Sequence, residues 1–183
     1  MKKVLLLLAA MVSLMSFNSC QKEKDPTPDN PSGMDLKNFR YLSFEALNTI
    51  CDYWGIYFAS GDLAINENYE YTGTGVYLGV GIYCREVGGL SIPNAGVYNI
   101  EDGSGHGIIA RIEPYVDGKY QEGMYRLSQD SKATISYPTA TTFTFSLKGS
   151  VLEYGDGDQV LNSYPIDFTY SGDLNVRPYP NNK

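Results

Sequence analysis

From about residue 35 onward, apolar and polar side chains alternate with a period of two in several short segments. The clearest segment is 142–148, where Phe143, Phe145 and Leu147 share one face and hydroxyl groups and a lysine occupy the other. This alternation is the pattern of a half-buried β-strand. Similar patterns predict strands at residues 76–83, 96–101, 107–113, 123–128, 132–137 and 164–170. Pro165 lacks an N–H, so the last of these strands is expected at a sheet edge or to begin there.

Turn-forming residues separate the predicted strands, at 93–96, 102–105, 117–118 and 155–158. Val116 and Lys119 flank Asp117-Gly118, which is the arrangement expected of a two-residue hairpin. After residue 55 the sequence has no sustained helical stripe, which argues against parallel βαβ folds. We therefore predict an all-β protein with an antiparallel β-sandwich. A lipocalin-like or other small antiparallel β-barrel is the alternative.

One segment fits two patterns. Apolar residues between 36 and 53 recur at spacings of three or four, which suits an amphipathic helix: Leu36, Phe39, Leu42, Ala46, Ile50 and Tyr53. The same segment is rich in aromatic and β-branched residues, which favour strands: Tyr41, Phe44, Thr49, Ile50 and Tyr53. Because the rest of the chain has the β-pattern, we predict a strand here.

The composition agrees with this class and narrows the choice of partner. The 183 residues include 16 Tyr and 19 Gly, which are typical of strands and turns, and their length corresponds to one domain. Lys plus Arg number 14 and Asp plus Glu 21, so the formal charge is −7. Nucleic acid, whose phosphates attract clusters of Lys and Arg, is therefore not an expected partner.

The N-terminus has the features of a secretory signal. Lys2 and Lys3 precede the apolar run 4–17, which is shorter than the roughly 20 residues needed to span a bilayer. The segment that follows, Phe17-Asn18-Ser19-Cys20, resembles the lipobox of bacterial lipoproteins. The resemblance implies a type II signal peptide at 1–19, with a diacylglycerol on the thiol of Cys20 and a further acyl chain, such as palmitate, on its new amine.

The resemblance also implies a subcellular location. Gln21 follows the cysteine, which points to a lipid-anchored protein of the outer membrane that faces the periplasm or the cell surface. Residues 20–34 form the lipidated cysteine and a Pro-rich linker, which reaches roughly 40 Å at ~3.1 Å per extended residue. Residues 35–183 form the single β-domain.

Three short motifs in the domain resemble features of small β-rich lipoproteins of the Bacteroidota. They are Tyr53-Trp54-Gly55, the hairpin start Pro93-Asn94-Ala95-Gly96-Val97-Tyr98, and the terminal Tyr170-Ser171-Gly172. The resemblance covers most of residues 40–174. It implies an exported β-domain and carries over no catalytic or binding residue.

The three cysteines could be lipidated, form a disulfide or bind a metal. An exported chain with three cysteines has an odd one, and lipidation of Cys20 leaves Cys51 and Cys84. These two could form a disulfide, since the exported compartment permits one, or remain buried free thiols. Two cysteines and the single histidine are too few for a typical metal site, so we expect no metal and no cofactor.

Two predicted loops contain residues that could act in catalysis or bind calcium, but ordinary loop and turn structure also explains them. His106, the only histidine, lies in a Gly-rich stretch with no nucleophile motif nearby, so we interpret it as a solvated loop residue. Asp156 and Asp158 alternate with glycines and are weak calcium candidates. A hairpin turn explains this alternation equally well.

The best candidate for a binding surface is the polar side of residues 75–84. Tyr77 and Tyr83 bracket Gly79 and Gly81 on one face. Glycines leave a depression and tyrosines supply flat amphipathic walls, which suits a glycan or an extended peptide. In the alternative interpretation the tyrosines fold over the glycines and cover the bare backbone.

These features together favour a lipid-anchored, non-enzymatic binding or accessory protein of the cell envelope, with a glycan or a protein as its partner. The alternative is a structural protein of surface assembly. A small surface hydrolase is the third class, because glycosidase chemistry needs only two carboxylates about 5–10 Å apart.

Overall fold

The fold is built almost wholly from strands, in a computed structural model that describes residues 34–48, 52–66, 68, 70–84 and 92–177. The strands are β1 (Arg40–Asn48), β2 (Tyr53–Ala59), β3 (Ala64–Ile65), β4 (Tyr71–Thr72), β5 (Gly75–Cys84), β6 (Gly96–Asn99), β7 (His106–Val116), β8 (Lys119–Tyr120), β9 (Met124–Leu127), β10 (Lys132–Thr139), β11 (Thr142–Tyr154), β12 (Val160–Asp173) and β13 (Val176–Arg177). A short 3-10 turn, Asp156–Asp158, joins β11 to β12.

The strands form two large sheets that pack face to face. The six-stranded sheet has the order β13-β1-β2-β5-β7-β8, and its pairs are antiparallel except for β1 and β13. In the second sheet β11 pairs with β12 on one side and with β10 and β9 on the other, and β6 lies beyond β10. Neither described sheet closes into a barrel, which confirms the predicted antiparallel sandwich. In the described residues no helix is long and apolar enough to cross a membrane.

The core lies between the inner faces of the two sheets. Every second residue of β5 points into it, and Leu78, Val80 and Ile82 are completely buried. The rings of Phe145 and Phe168 from the second sheet meet Phe58 of β2, with centroids 5.2 and 5.1 Å from its own. The two-residue period of the sequence therefore separates a buried face from an outer face in each sheet.

Within the ambiguous segment 36–53, residues 40–48 form β1 and Tyr53 begins β2, so the predicted strand is confirmed there, while residues 49–51 lie outside the described ranges. Its helical spacing is coincidental, because Phe44 points into the core while Ser43 and Glu45 point to the other face. The expectation for Pro165 is also confirmed, since β12 lies at the edge of its sheet.

The predicted two-residue hairpin joins β7 to β8. Val116 pairs with Lys119, and Asp117 and Gly118 both have the positive φ angles, 51° and 73°, that this type of tight turn needs. The Gly118 N–H donates to the carbonyl oxygen of Gly73 at 2.7 Å. The turn is thereby joined to the loop that follows the small β3–β4 hairpin.

Replacing Gly118 with alanine tests this junction. The substitution places a side chain in the left-handed region, at a cost of roughly 1–2 kcal/mol, and its Cβ would collide with the backbone of Tyr71. Gly103→Ala is the matched control, because Gly103 also has a positive φ but has no atom within 4 Å of a Cβ. In urea unfolding, Gly118→Ala should lower the free energy of unfolding by about 1–3 kcal/mol more than Gly103→Ala. Equal losses would contradict the packing of the turn on β4.

Candidate functional site

An open trough of about 680 Å³ lies on the outer face of the six-stranded sheet. Its floor and walls come from the middle of β1, β2, β5 and β7, with contributions from β13 and from the β3–β4 hairpin. The lining includes three glycines of the sheet, Gly55, Gly79 and Gly81, and four tyrosines, Tyr53, Tyr57, Tyr71 and Tyr77. The trough therefore combines small residues with aromatic ones at the centre of a rigid sheet.

The register of the strands explains why the glycines cluster. Gly55 of β2 lies directly opposite Gly81 of β5, and this pair continues to Glu45 on β1 and Ile109 on β7. In the next row Gly79 lies between Tyr57 and Arg111. The first row thus lacks side chains at both central strands, and the second row lacks one on β5, which leaves a depression in the sheet.

Tyrosine rings lie over these glycines. A Cβ on Gly79 would stand 3.2 Å from two ring carbons of Tyr57, and a Cβ on Gly81 would stand 2.7 Å from the ring of Tyr53. The same Tyr57 ring also lies over Gly55, on its own strand. Only glycine lets the rings come this close to the backbone, so the floor of the trough is largely aromatic.

Two further tyrosines extend the aromatic surface along the strands. Tyr83 stacks on Tyr53, with ring centroids 4.2 Å apart and an interplanar angle of 12°. Tyr77 lies 6.0 Å from Tyr57 in a nearly parallel arrangement, at 21°. The aromatic surface thus ends in the Tyr53–Tyr83 pair on one side and in the Tyr57–Tyr77 pair on the other.

The β3–β4 hairpin folds over one end of the trough. Tyr71 of β4 stacks on Tyr115 at 4.2 Å and meets Tyr77 edge-on at 5.9 Å. Leu63, which precedes the hairpin, is completely buried in a small cluster with Ala59 and Tyr115. The hairpin is therefore anchored by apolar packing, and it closes the trough on the Tyr77 side.

The charged groups of the trough have defined partners. Nη2 of Arg111 lies 2.6 Å from Oε1 of Glu113, and Nε donates to the same oxygen at 2.7 Å. The hydroxyl of Tyr115 donates to the other carboxylate oxygen at 3.3 Å. Across the trough, Glu45 accepts a hydrogen bond from Ser43 at 3.0 Å, and Arg177 is its backbone register partner.

The hydroxyls of Tyr53, Tyr57 and Tyr77 stay protonated at neutral pH. Burial raises the pKa of Tyr53, Tyr57 and Tyr77 above the usual value for tyrosine. The carboxylate of Glu45 raises the pKa of Tyr57 further, and the guanidinium of Arg111 acts in the opposite direction. These hydroxyls can therefore both donate and accept hydrogen bonds in the trough.

Of the four residues proposed for the surface, Tyr77, Gly79 and Gly81 line the trough. Tyr83 does not line it and instead supports Tyr53 by stacking. The rings that lie closest over the glycines belong to Tyr53 and Tyr57, while Tyr77 brings one ring carbon to 3.7 Å from the Cβ position of Gly79. Sequence reasoning missed these β2 residues, although the alternation Tyr53-x-Gly55-x-Tyr57 carried a signal. Only the register shows that it lies beside Gly79 and Gly81.

The other candidate residues lie apart from the trough. His106 is exposed at the start of β7, and its ring stacks on Tyr98 at 5.3 Å. Asp156 and Asp158 lie exposed in the turn between β11 and β12, as a hairpin turn would place them. The described residues contain no group of three or more His, Cys, Asp or Glu side chains that could hold a metal ion.

Two predictions about cysteines concern residues outside the described ranges. Cys20, the proposed lipidation site, and Cys51, the proposed partner of Cys84, both lie there. Cys84 itself is buried on the inner face of β5, and its Sγ lies 3.4 Å from the hydroxyl of Tyr98. The disulfide therefore stays a prediction.

No protein-family model, curated protein or solved structure matches the chain. Conclusions about the trough therefore rest on its own geometry and chemistry.

Proposed function

We propose that the protein is a lipid-anchored, non-enzymatic binding module of the outer membrane, and that its trough binds a glycan. The observation that carries the proposal is the aromatic floor, where the rings of Tyr53 and Tyr57 lie over Gly81 and Gly79 on a rigid sheet. Such a surface binds without rearrangement of the backbone, which lowers the entropic cost of association.

The chemistry of the floor and rim suits a sugar. A pyranose presents C–H groups on its faces and hydroxyls around its edge, so the faces can pack on tyrosine rings. The hydroxyls can then hydrogen-bond to groups at the rim, such as Ser43, Asn66 and Arg111. A volume of about 680 Å³ lies within the usual range for small-molecule sites, about 300–1,000 Å³.

The carboxylates near the trough support binding over hydrolysis. Glycosidases use two carboxylates on opposite sides of the scissile bond, each free to exchange a proton or to attack carbon. Glu113 has both oxygens engaged, by Arg111 and by Tyr115. Glu45 is the single carboxylate among the described residues that line the trough.

A glycan-binding screen tests the proposal. The purified protein is applied to immobilised oligosaccharides of varied composition, and hits are confirmed by isothermal titration calorimetry. Gly81→Val is the matched control, because its side chain would displace the ring of Tyr53 and meet Ile109 while leaving the core untouched. The proposal expects binding by the wild type and its loss in Gly81→Val. Absence of any glycan ligand, or equal binding by the variant, would overturn it.

The lipid anchor gives a separate prediction. Several acyl chains at ~0.8 kcal/mol per buried methylene hold a protein firmly on a membrane. Cys20→Ala should therefore shift the protein from the membrane fraction to the soluble fraction, and metabolic labelling with a fatty acid should be lost. Continued membrane retention of Cys20→Ala would contradict the lipoprotein assignment.

One observation favours a second candidate, a role in surface assembly. Strand β12 is 14 residues long and lies at a sheet edge, and it exposes Val160 and Leu161 to 47% and 53%. Open edges with apolar side chains can accept a strand from another protein. Cross-linking in intact cells distinguishes the two candidates, since an assembly protein should give cross-links that concentrate on β12.

A further inference from the structure

We infer that the ligand of the trough is an uncharged glycan. This inference deepens the proposed function and rests on it. It follows from the aromatic floor of the trough and from the balance of the charges around it.

The trough is about as long along the strands as across them. Along the strands, it ends at the Tyr53–Tyr83 stack on one side and at Tyr77 and Tyr71 on the other. Tyr77 and Tyr83 are six residues apart on β5, so this dimension is about 20 Å at ~3.3 Å per residue. Across the strands, the lining continues from Arg177 on β13 to Arg111 on β7. Four strand spacings of ~4.8 Å make that dimension about 19 Å.

At the centre of the trough a ligand meets aromatic rings and not bare backbone. Between Glu45 and Ile109 the residues on the outer face are Gly55 and Gly81, and the rings of Tyr57 and Tyr53 lie over them. These rings carry no formal charge, so the centre of the trough is an uncharged surface on which a sugar face can pack.

The charges at the two ends are compensated within the protein. Arg111 is 72% exposed but is ion-paired to Glu113, whose side chain is 14% exposed. Its guanidinium carries five N–H donors in all, so donors remain for ligand hydroxyls after the bonds to Glu113 are made. Arg111 can thus act as a hydrogen-bond donor without presenting an unpaired positive charge.

At the opposite end, Arg177 and Glu45 are neighbours in the register of β13 and β1. Among the described residues that line the trough, Glu45, Arg111 and Arg177 are the charged ones, and Glu113 is ion-paired with Arg111. The two arginines are thus matched in number by the two glutamates. With a formal charge of −7 on the whole chain, a polyanionic sugar would be repelled and would find no net positive charge in the trough.

A pair of matched ligands tests the inference. Neutral hexasaccharides of glucose, mannose and xylose are compared with a hexasaccharide of galacturonic acid by calorimetry, at about 20 mM and about 300 mM NaCl. We expect at least one neutral hexasaccharide to bind at least tenfold more tightly than the acidic one. Its affinity should change by no more than about twofold with salt, because no net charge is neutralised on binding.

Glu113→Gln supplies a converse test. The variant removes the charge that offsets Arg111 and keeps an oxygen that can accept hydrogen bonds. The acidic hexasaccharide should then gain affinity several-fold, and that gain should disappear at high salt. Arg111→Gln, which removes the cation, should show no such gain.

The outcomes separate the inference from the proposed function. A wild-type preference for the acidic hexasaccharide, with affinity that falls steeply with salt, would overturn the inference and leave the glycan-binding function standing. Failure of Glu113→Gln to gain affinity for the acidic ligand would overturn the charge-pairing argument. Binding of neither class would overturn the proposed function, and the inference with it.

Discussion

Replacing Phe58 with alanine should lower the free energy of unfolding by about 3–5 kcal/mol, which is the usual cost of truncating a fully buried phenylalanine. Phe58 is completely buried near the end of β2, where its ring centroid lies 5.2 Å from that of Phe145 and 5.1 Å from that of Phe168 across the sandwich. The rings of Tyr41 and Tyr170 surround it at 6.2 and 6.1 Å. The cavity would therefore open between the two sheets, where rigid rings limit collapse.

Urea unfolding followed by circular dichroism measures this loss. Val97→Ala is the control, because Val97 lies in a strand but is mostly exposed, and its loss should stay within about 0.5 kcal/mol. If Phe58→Ala unfolds too readily to be measured, Phe58→Leu should give a smaller loss in the same direction. Similar stability of Phe58→Ala and Val97→Ala would contradict the packing of the sandwich around Phe58.

The second large effect concerns binding. Tyr57→Ala should weaken the glycan affinity by roughly 10- to 100-fold, since truncating a central aromatic residue of an interface costs about 2 kcal/mol or more and each 1.4 kcal/mol is a factor of ten. The ring of Tyr57 lies over both Gly55 and Gly79. Its removal exposes bare backbone in place of the flat surface on which a sugar face packs.

Two controls separate the ring from its hydroxyl and from general destabilisation. Tyr57→Phe keeps the ring and removes only the hydroxyl. Its loss of binding free energy should therefore not exceed that of one hydrogen bond, about 0.5–1.5 kcal/mol, and should be smaller than the loss in Tyr57→Ala. Tyr120→Ala removes an exposed tyrosine that does not line the trough and should bind like the wild type. Equal affinities of Tyr57→Ala and the wild type would contradict a role of the aromatic floor in glycan binding.

The sandwich could be predicted because its signals are local. Alternation places Phe143, Phe145 and Leu147 on one face whatever the rest of the chain does. The full length of β11 could not be predicted, because the strand continues through Gly149, where the local pattern breaks. Gly149 has a positive φ, 152°, and a Cβ there would stand 2.6 Å from Cα of Ser131. The close approach of Gly149 to Ser131 depends on tertiary structure, so the sequence around Gly149 does not predict it.

The trough could be predicted only in part, for the same reason. The pattern on β5 singled out Tyr77, Gly79 and Gly81, since one strand shows its own alternation. The residues that cover those glycines belong to β2, and the pairing of Tyr57 with Gly79 is a matter of register between strands. Arg111 and Arg177 are brought to the two ends by β7 and β13, which are distant in sequence. Sequence analysis thus identified one side of the site, and strand pairing completes it.

The most direct test of the trough as a glycan site is an NMR titration. The amides of Gly55, Gly79 and Gly81 lie on its floor and resonate in the distinctive glycine region of a ¹H–¹⁵N spectrum, while Thr134 and Thr144 lie on the other sheet. On addition of the neutral hexasaccharide that binds best, the three glycine amides should shift progressively and saturate, and the two threonine amides should stay in place. Shifts confined to the second sheet, or no shift at saturating ligand, would contradict the account.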